Sequence, residues 1–226
     1  MYEKFGQFID GNWSPSSNKE TYEVINPATE EVLGHASKAT SDDVDRALKS
    51  AEKGLQVWKK TPPWQRSNIL RKIADKIREK KDVFAKWMTL ENGKPLAEGI
   101  GETNGAADIF EWNAEETKRI YGQTIESRFE DTRVHVYYQP VGVVAALSPW
   151  NFPLILAARK ISTALGAGCS VIIKPDTITP GVVMELVDIC KECGVPPGAV
   201  NLLSGDPPSI ASQLIQSDII KKISIT

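Results

Sequence analysis

Short apolar segments alternate with helical segments over residues 141–226, and this alternation restricts the fold more than any other feature of the chain. The apolar segments are rich in Val and Ile, and helical segments begin near Leu154, Thr179 and Pro208. Such alternation is typical of βαβ units, in which helices cover both faces of a parallel sheet. We therefore predict an α/β, doubly wound, nucleotide-type core. Its strand candidates are residues 141–147, 170–173, 199–203 and 221–226.

The first part of the chain, residues 1–124, is predicted to be an N-terminal arm of short extended pieces followed by helices. Ser41 is the expected N-cap of the first amphipathic helix, which ends before Pro62. A second helical pattern covers residues 69–88, and a third covers about residues 102–121. These helices have no sheet pattern of their own, so we expect them to pack against the core.

Residues 125–140 form a third part of the predicted organisation. Side chains between Arg133 and Tyr138 alternate in part between polar and apolar, as in a half-exposed strand. Such a strand can pair across a subunit boundary. The βαβ core then begins at Val141.

Composition excludes several classes of function. The chain has 226 residues, of which 41% are hydrophobic and 25% charged, as in globular proteins. Its formal net charge of -2 gives no electrostatic reason to expect nucleic acid or an anionic membrane as a partner. There is no signal sequence and no apolar run of about 20 residues, so we expect a cytoplasmic location. Three scattered cysteines predict free thiols in place of a disulfide framework.

Polar motifs follow the first three predicted strands. The first is the turn from Ser148 to Pro153, in which prolines restrict the backbone around Trp150 and Asn151. An Asn held in this way can aim its amide N–H at a fixed point. Residues 174–177 and 204–206 follow the next two strands. Because ligands of such sheets bind beyond the carboxyl ends of the strands, one crevice can use all three motifs.

Two other patterns predict no ligand site. Gly166 and Gly168 precede a strand, so they are interpreted as a helix C-cap and not as a dinucleotide-binding loop. Cys190 and Cys193 have the spacing of a redox or metal pair, but no second ligand pair accompanies them. We expect partly buried thiols, and no metal site is predicted.

Seven motifs occur in the order and at the spacing of one family. The chain resembles the N-terminal half of an NAD(P)-dependent aldehyde dehydrogenase and is most similar to succinate-semialdehyde dehydrogenases. The resemblance implies a Rossmann-like cofactor domain, incomplete in this chain and without the catalytic domain. The motifs start at Phe8, Ile25, Glu91, Pro140, Pro149, Lys174 and Gly194.

The resemblance implies roles for residues of the three loops. Asn151 matches the amide that completes an oxyanion hole; the alternative is an ordinary turn Asn that caps the next helix. Lys174 matches a lysine that binds the adenosine ribose; the alternative is a solvated surface lysine. Thr177 stands where family members that prefer NAD have a glutamate, so NADP is acceptable and favoured over NAD. The other cofactor-binding candidates are Ser148, Pro149, Trp150 and Gly205.

Arg159 is the residue that points to a substrate class. It lies eight residues after Asn151, or about two helical turns. The resemblance implies that it grips the carboxylate of succinate semialdehyde or a related semialdehyde, a task suited to a guanidinium. A surface salt bridge is the alternative.

The family resemblance also implies parts that these 226 residues do not supply. The catalytic cysteine and glutamate are expected later in the family's order, and Cys169, Cys190 and Cys193 match neither. Two hypotheses stay open: a segment of a complete dehydrogenase that forms a homodimer or homotetramer through the strand near Arg133, or a non-catalytic module that binds a nucleotide or a partner. Alone, the chain is expected to be inactive.

Overall fold

A six-stranded sheet forms the centre of the computed structural model, which describes residues 2–226. Four of its strands are parallel and correspond to the four apolar segments of the predicted core. The α/β parallel-sheet prediction is therefore confirmed. The parallel strands are β7 (Val143–Leu147), β8 (Ser170–Lys174), β9 (Val200–Leu202) and β10 (Ile220–Ile225).

Helices cover both faces of this sheet. Helices α5 (Pro153–Gly166) and α6 (Pro180–Glu192) pack on one face, and α1 (Ser41–Trp58) and α7 (Pro207–Gln216) pack on the other. Because successive side chains of a strand point to opposite faces, Val171 and Ile173 join one hydrophobic cluster while Ile172 joins the second. Burial on both faces explains why β7 and the interior of β8 are apolar, whereas β10 lies at the edge of the sheet and is mostly exposed.

The N-terminal arm completes the same sheet, which the sequence did not predict. Strands β1 (Gln7–Ile9) and β2 (Asn12–Ser14) form a hairpin, and Phe8 pairs antiparallel with Leu202 of β9. The Gln7 side chain adds two hydrogen bonds to the main chain of Ser204, at 2.8 and 3.0 Å. The predicted boundary between the first part and the core thus crosses one continuous sheet. A second hairpin, β3 (Thr21–Ile25) and β4 (Val32–Ser37), follows.

The helices of the first part differ from the prediction at their ends. Thr40, and not Ser41, is the N-cap of α1, because its side chain and that of Asp43 form a reciprocal capping box. The second predicted helix is two helices that meet at Lys80, and the third starts earlier, after the N-cap Pro95. These three helices are α2 (Pro63–Glu79), α3 (Lys81–Asn92) and α4 (Leu96–Thr117).

Strands β5 (Gln123–Glu126) and β6 (Arg133–Val136) form a separate antiparallel hairpin. The hairpin lies outside the six-stranded sheet, and it exposes Ile125, Phe129 and Val134. None of the helices within residues 2–226 is both long and apolar enough to cross a membrane.

Candidate functional site

A cleft of about 370 Å³ opens at the carboxyl ends of β7, β8 and β10. The sheet order is β10-β7-β8-β9, so the chain reverses its direction of travel across the sheet at β7. Parallel sheets bind ligands at such switch points, because neighbouring loops diverge there. The last residue of each of these strands and residues that follow line the cleft: Leu147, Ser148, Pro149, Lys174, Asp176, Ile225 and Thr226. Pro207 and Pro208 close it from the start of α7.

Lys174 lies at the end of β8 and is only 4% exposed, so the alternative of a solvated surface lysine does not hold. Burial lowers the pKa of its amine, while the carboxylates of Asp176 and Asp206 act in the opposite direction. Because Lys174 and Asp176 both line the cleft, it carries charges of both signs. An ammonium group in this position suits the hydroxyls of a ribose or an anionic phosphate.

Asp176 and Thr177 follow Lys174 in the loop before α6. The Ile178 N–H donates to Oδ1 of Asp176 at 3.2 Å, which turns one carboxylate oxygen back onto the loop. Asp176 nevertheless lines the cleft, whereas Thr177 is half-buried outside that lining. The Asp176 carboxylate therefore lies one residue before Thr177, the position at which a glutamate is expected in family members that prefer NAD.

Ser148 joins the first two loops of the site. Its N–H donates to the Lys174 carbonyl oxygen at 3.0 Å, which continues the pairing of β7 with β8. Its Oγ is buried and has no hydrogen-bond partner among residues 2–226. Because an unsatisfied buried hydroxyl is costly, an orphan of this kind next to a cleft indicates a group that a ligand satisfies.

The turn from Ser148 to Pro153 is held through its main chain. Asn92 Nδ2 donates to the Trp150 carbonyl oxygen at 3.0 Å, and Lys94 Nζ donates to the Asn151 carbonyl oxygen at 3.0 Å. Phe152, and not Asn151, is the N-cap of α5, and no side chain of the cap bonds to the helix. The helix-cap alternative for Asn151 is therefore not what the structure shows. Its side chain is exposed on a turn whose backbone is fixed.

Two buried charged residues, Lys94 and Glu102, support this turn, and a third, Glu91, supports the start of α6; sequence reasoning assigned none of them a role. Lys94 pairs with Glu102, and the Lys94 ammonium also lies 4.1 Å from the centre of the Phe152 ring. Oε1 of Glu102 accepts the N–H groups of Leu154 and Ile155, at 2.9 and 3.1 Å. Glu91 accepts hydrogen bonds at the start of α6. The motif around Glu91 signalled only a family match, since burial of a charge leaves no local pattern in a sequence.

Arg159 and Gly205 lie away from the cleft lining. Arg159 is exposed on α5, and no carboxylate within residues 2–226 forms a salt bridge with it. The salt-bridge alternative is thus absent from the described part of the chain. Gly205 is buried with φ +143, and a Cβ there would lie 2.8 Å from the main-chain nitrogen of Ala39. The structure gives Gly205 a packing role beside the cleft, and cofactor contact by Gly205 stays a prediction.

The three cysteines are distant from Asn151. Cys169 precedes β8, so it lies at the amino end of that strand, about 17 Å from Lys174. Cys190 and Cys193 lie at the far end of α6 from the cleft, and burial raises the pKa of both thiols. These thiols cannot serve as nucleophiles beside the oxyanion turn. Among residues 2–226, no group of three or more His, Cys, Asp and Glu side chains is placed to hold a metal.

Comparison with known sequences gives one family. A model of the aldehyde dehydrogenase family matches residues 13–226. Glutarate-semialdehyde dehydrogenase of Pseudomonas aeruginosa is 39% identical over 219 residues, which are 97% of this chain and 45% of the relative. The NADP(+) succinate-semialdehyde dehydrogenase GabD of Escherichia coli is 39% identical over 218 residues, 96% of this chain and 45% of the relative. The chain therefore spans about half the length of the curated relatives it matches.

Solved structures give the same result for the fold. A crystal structure of an NADP-dependent enzyme from Escherichia coli superposes with a TM-score of 0.97 at 38% identity. The match covers 100% of this chain and 47% of the solved chain. The arrangement of strands, loops and cleft is thus that of one half of a larger known architecture.

Proposed function

Because the chain belongs to the aldehyde dehydrogenase family, we propose that it is the cofactor-binding part of an enzyme that oxidises a carboxylate-bearing aldehyde to the acid. Succinate semialdehyde and glutarate semialdehyde, named for two relatives, are the proposed substrates. They share an aldehyde at one end and a carboxylate at the other, and they differ by one methylene. The observation that carries the proposal is the position of the Asn151 turn and the Lys174 cleft at adjoining strand ends.

The residues of the cleft fit NAD(P). The volume of about 370 Å³ lies in the range of small-ligand sites. Lys174 and the unpartnered Ser148 hydroxyl are the groups that would hold the ribose. Pro149 also lines the cleft, whereas Trp150 is exposed outside its lining, and both are proposed for the nicotinamide half. The nicotinamide, when bound, accepts the hydride that leaves the aldehyde carbon. NADP is proposed over NAD because Thr177 adds no second carboxylate to that of Asp176, of which one oxygen is turned back onto the loop.

Asn151 is the proposed oxyanion residue. When a nucleophile adds to the aldehyde, negative charge develops on the carbonyl oxygen, and a prepositioned amide N–H stabilises it without reorganisation. In support of this role, two side chains hold the carbonyl oxygens of Trp150 and Asn151, and the Asn151 side chain is left exposed. The proposed nucleophile and general base come from residues outside this chain.

Arg159 is the proposed group for the substrate carboxylate. A guanidinium forms paired hydrogen bonds with a carboxylate, and within residues 2–226 no acidic side chain competes for it. Burial lowers the pKa of the neighbouring Lys160 amine, and the positive charge of Arg159 lowers it further.

The experiment measures NADPH formation by the full-length protein that carries this chain. Succinate and glutarate semialdehyde are compared with butanal, which lacks a carboxylate. Arg159→Ala is expected to raise KM for both semialdehydes by about 10- to 100-fold, the loss of one charge-assisted contact. KM for butanal should change by less than about threefold, and Arg46→Ala, at an exposed arginine of α1 on the opposite face of the sheet from α5, is the matched control. Unchanged KM for both semialdehydes would exclude this role.

The non-catalytic module is the second candidate function. It is favoured by one observation, the distance of all three cysteines from the Asn151 turn. Cofactor binding by calorimetry without aldehyde turnover in the full-length protein would support it over the dehydrogenase.

Assembly through the β5–β6 hairpin is also proposed, as a homodimer or homotetramer. Support comes from its exposed apolar side chains, Ile125, Phe129 and Val134, in a strand pair that lies outside the main sheet. Light scattering of wild type and Val134→Asp tests this, with a smaller assembly expected for the variant. A cytoplasmic location stays a prediction.

A further inference from the structure

The corner between α3 and α4, residues 91–94, contacts both loops of the proposed site. The chain reverses here at Gly93, which has φ +76 and whose N–H donates to the Thr89 carbonyl oxygen. Pro95 then starts α4. The other three residues of the corner, Glu91, Asn92 and Lys94, each donate or accept side-chain hydrogen bonds around the site.

On one side, Glu91 holds the helix that follows the cofactor loop. Its carboxylate accepts the N–H groups of Gly181 at 2.7 Å and Val182 at 3.2 Å, and Tyr2 donates its hydroxyl to it. These N–H groups belong to the first turn of α6, where the helix has no intrahelical partner for them. Glu91 therefore fixes the point at which the loop from Lys174 enters α6.

On the other side, Asn92 and Lys94 hold the oxyanion turn. They bind the carbonyl oxygens of Trp150 and Asn151, each at 3.0 Å. Lys94 also pairs with Glu102, which caps the first turn of α5. The 91–94 corner thus holds the middle of the turn. Glu102, which pairs with Lys94, holds the end of the turn at the start of α5.

Each loop of the site has one end in the sheet and the other at a helix. The sheet ends are joined by the Ser148 N–H and the Lys174 carbonyl oxygen. Side-chain hydrogen bonds from the 91–94 corner and from Glu102 hold the helix ends. We expect a change at the corner to alter the position of Asn151 relative to Lys174 without breaking a strand.

We propose that the 91–94 corner positions the oxyanion turn against the cofactor loop, with Lys94 as the residue that fixes Asn151 through its main-chain carbonyl group. This inference rests on the proposed function. Lys94 and Glu102 are 8% and 6% exposed. A buried ion pair adds little to stability because desolvation offsets the attraction, so a geometric role accounts better for its place beside the turn.

The test compares Lys94→Met with Lys86→Met in the full-length protein that carries this chain. Met keeps the length of the side chain and removes the ammonium, and Lys86 is an exposed lysine of α3. Displacement of a reacting group by about 1 Å costs up to about 100-fold, so kcat of Lys94→Met should fall by about 10- to 100-fold. The Kd for NADPH should stay within about twofold, because Lys174 and Ser148 are untouched. Lys94→Arg should recover part of kcat, and Lys86→Met should match wild type.

Glu102→Gln provides a second route to the same result. It keeps an oxygen for the N–H groups of Leu154 and Ile155 but removes the charge that pairs with Lys94. Its kcat should fall, and the double variant with Lys94→Met should be no worse than the more severe single variant, because both act through one contact. If Lys94→Met does not fold, the kcat of Glu102→Gln alone tests the positioning role.

A crystal structure of the tested variant separates this proposal from the proposed function. We expect Asn151 to move by about 1 Å relative to Lys174. An unmoved Asn151, an unchanged kcat in a folded variant, or an equal loss of NADPH affinity would overturn the positioning role. If wild type oxidises no aldehyde, the proposed function fails. The position of Asn151 in the variant still tests whether the 91–94 corner positions the turn.

Discussion

The buried carboxyl of Glu91 should make the stability of the protein depend on pH, and Glu91→Gln is the perturbation that reveals it. Three donors favour the ionised carboxylate: the Tyr2 hydroxyl and the N–H groups of Gly181 and Val182. Burial opposes them and is the larger effect, so the pKa of Glu91 is raised from 4.5 to about 7.

The direction of the pH dependence follows from proton binding. Between pH 4.5 and about 7 the folded protein holds the Glu91 proton more tightly than the unfolded chain does. The free energy of unfolding contributed by this group is therefore highest below pH 4.5, falls as pH rises, and levels off above about pH 7. The pKa of Glu91 rises by about 2.5, from 4.5 to about 7. Because a pKa difference of 1 corresponds to about 1.36 kcal/mol, the free energy of unfolding should change by on the order of 3 kcal/mol.

The assay is urea unfolding followed by tryptophan fluorescence at several pH values from 4.5 to 8. Across this range the free energy of unfolding of wild type should fall by on the order of 3 kcal/mol more than that of Glu91→Gln, because Gln carries no titrating proton. Trp87 is a local reporter, since its ring lies 5.2 Å from that of Tyr2. Glu98→Gln, at an exposed position of α4, corrects for the loss of one surface charge. Equal pH slopes in wild type and Glu91→Gln would refute the reasoning.

Three further changes test other contacts. Tyr2→Phe removes a donor that lowers the pKa of Glu91, so the decline in stability should extend to higher pH in the same urea assay. Thr177→Glu should lower the affinity for NADP relative to NAD by about tenfold or more, measured by calorimetry, because the new carboxylate repels a 2′-phosphate. Gly54→Ala should lower the free energy of unfolding by about 2 kcal/mol or more, because its Cβ would lie 2.1 Å from backbone atoms of the loop before β9. Gly101→Ala, with open space around its Cβ, should instead gain about 0.5–1 kcal/mol. The Tyr2→Phe prediction is wrong if the pH dependence of stability matches wild type. The Thr177→Glu prediction is wrong if the ratio of NADP to NAD affinity does not change. The glycine prediction is wrong if Gly54→Ala and Gly101→Ala change the free energy of unfolding equally.

The elements of residues 141–226 were predictable because their signals are local. Strand β8 was predicted at residues 170–173 and ends one residue later, at Lys174. The start of α1 was wrong by one residue, because the choice between Thr40 and Ser41 depends on the reciprocal bonds with Asp43. The break at Lys80 was missed, because the apolar periodicity of α2 continues through it into α3.

The candidate site was predictable to the level of its loops. Of the three polar motifs predicted to share one crevice, those after β7 and β8 line a single cleft through Ser148 and Lys174, whereas residues 204–206 lie outside its lining. The position of Arg159 on the outer face of α5 and the packing role of Gly205 were not evident. Whether a side chain faces a cleft or solvent depends on elements that are distant in sequence.

By itself, the sequence determined the α/β class and the parallel strands, because apolar periodicity and turn residues act over a few positions. The resemblance to one family rested on the order and spacing of seven motifs, and the family model confirms it. Only the tertiary structure decided that β1 extends the core sheet, that Glu91 and Lys94 hold two different loops, and that the cysteines lie far from the Asn151 turn. Pairing of Phe8 with Leu202, and of Glu91 with Gly181, joins residues far apart in the chain. Such contacts depend on which surfaces the fold brings together, and no short stretch of sequence encodes them.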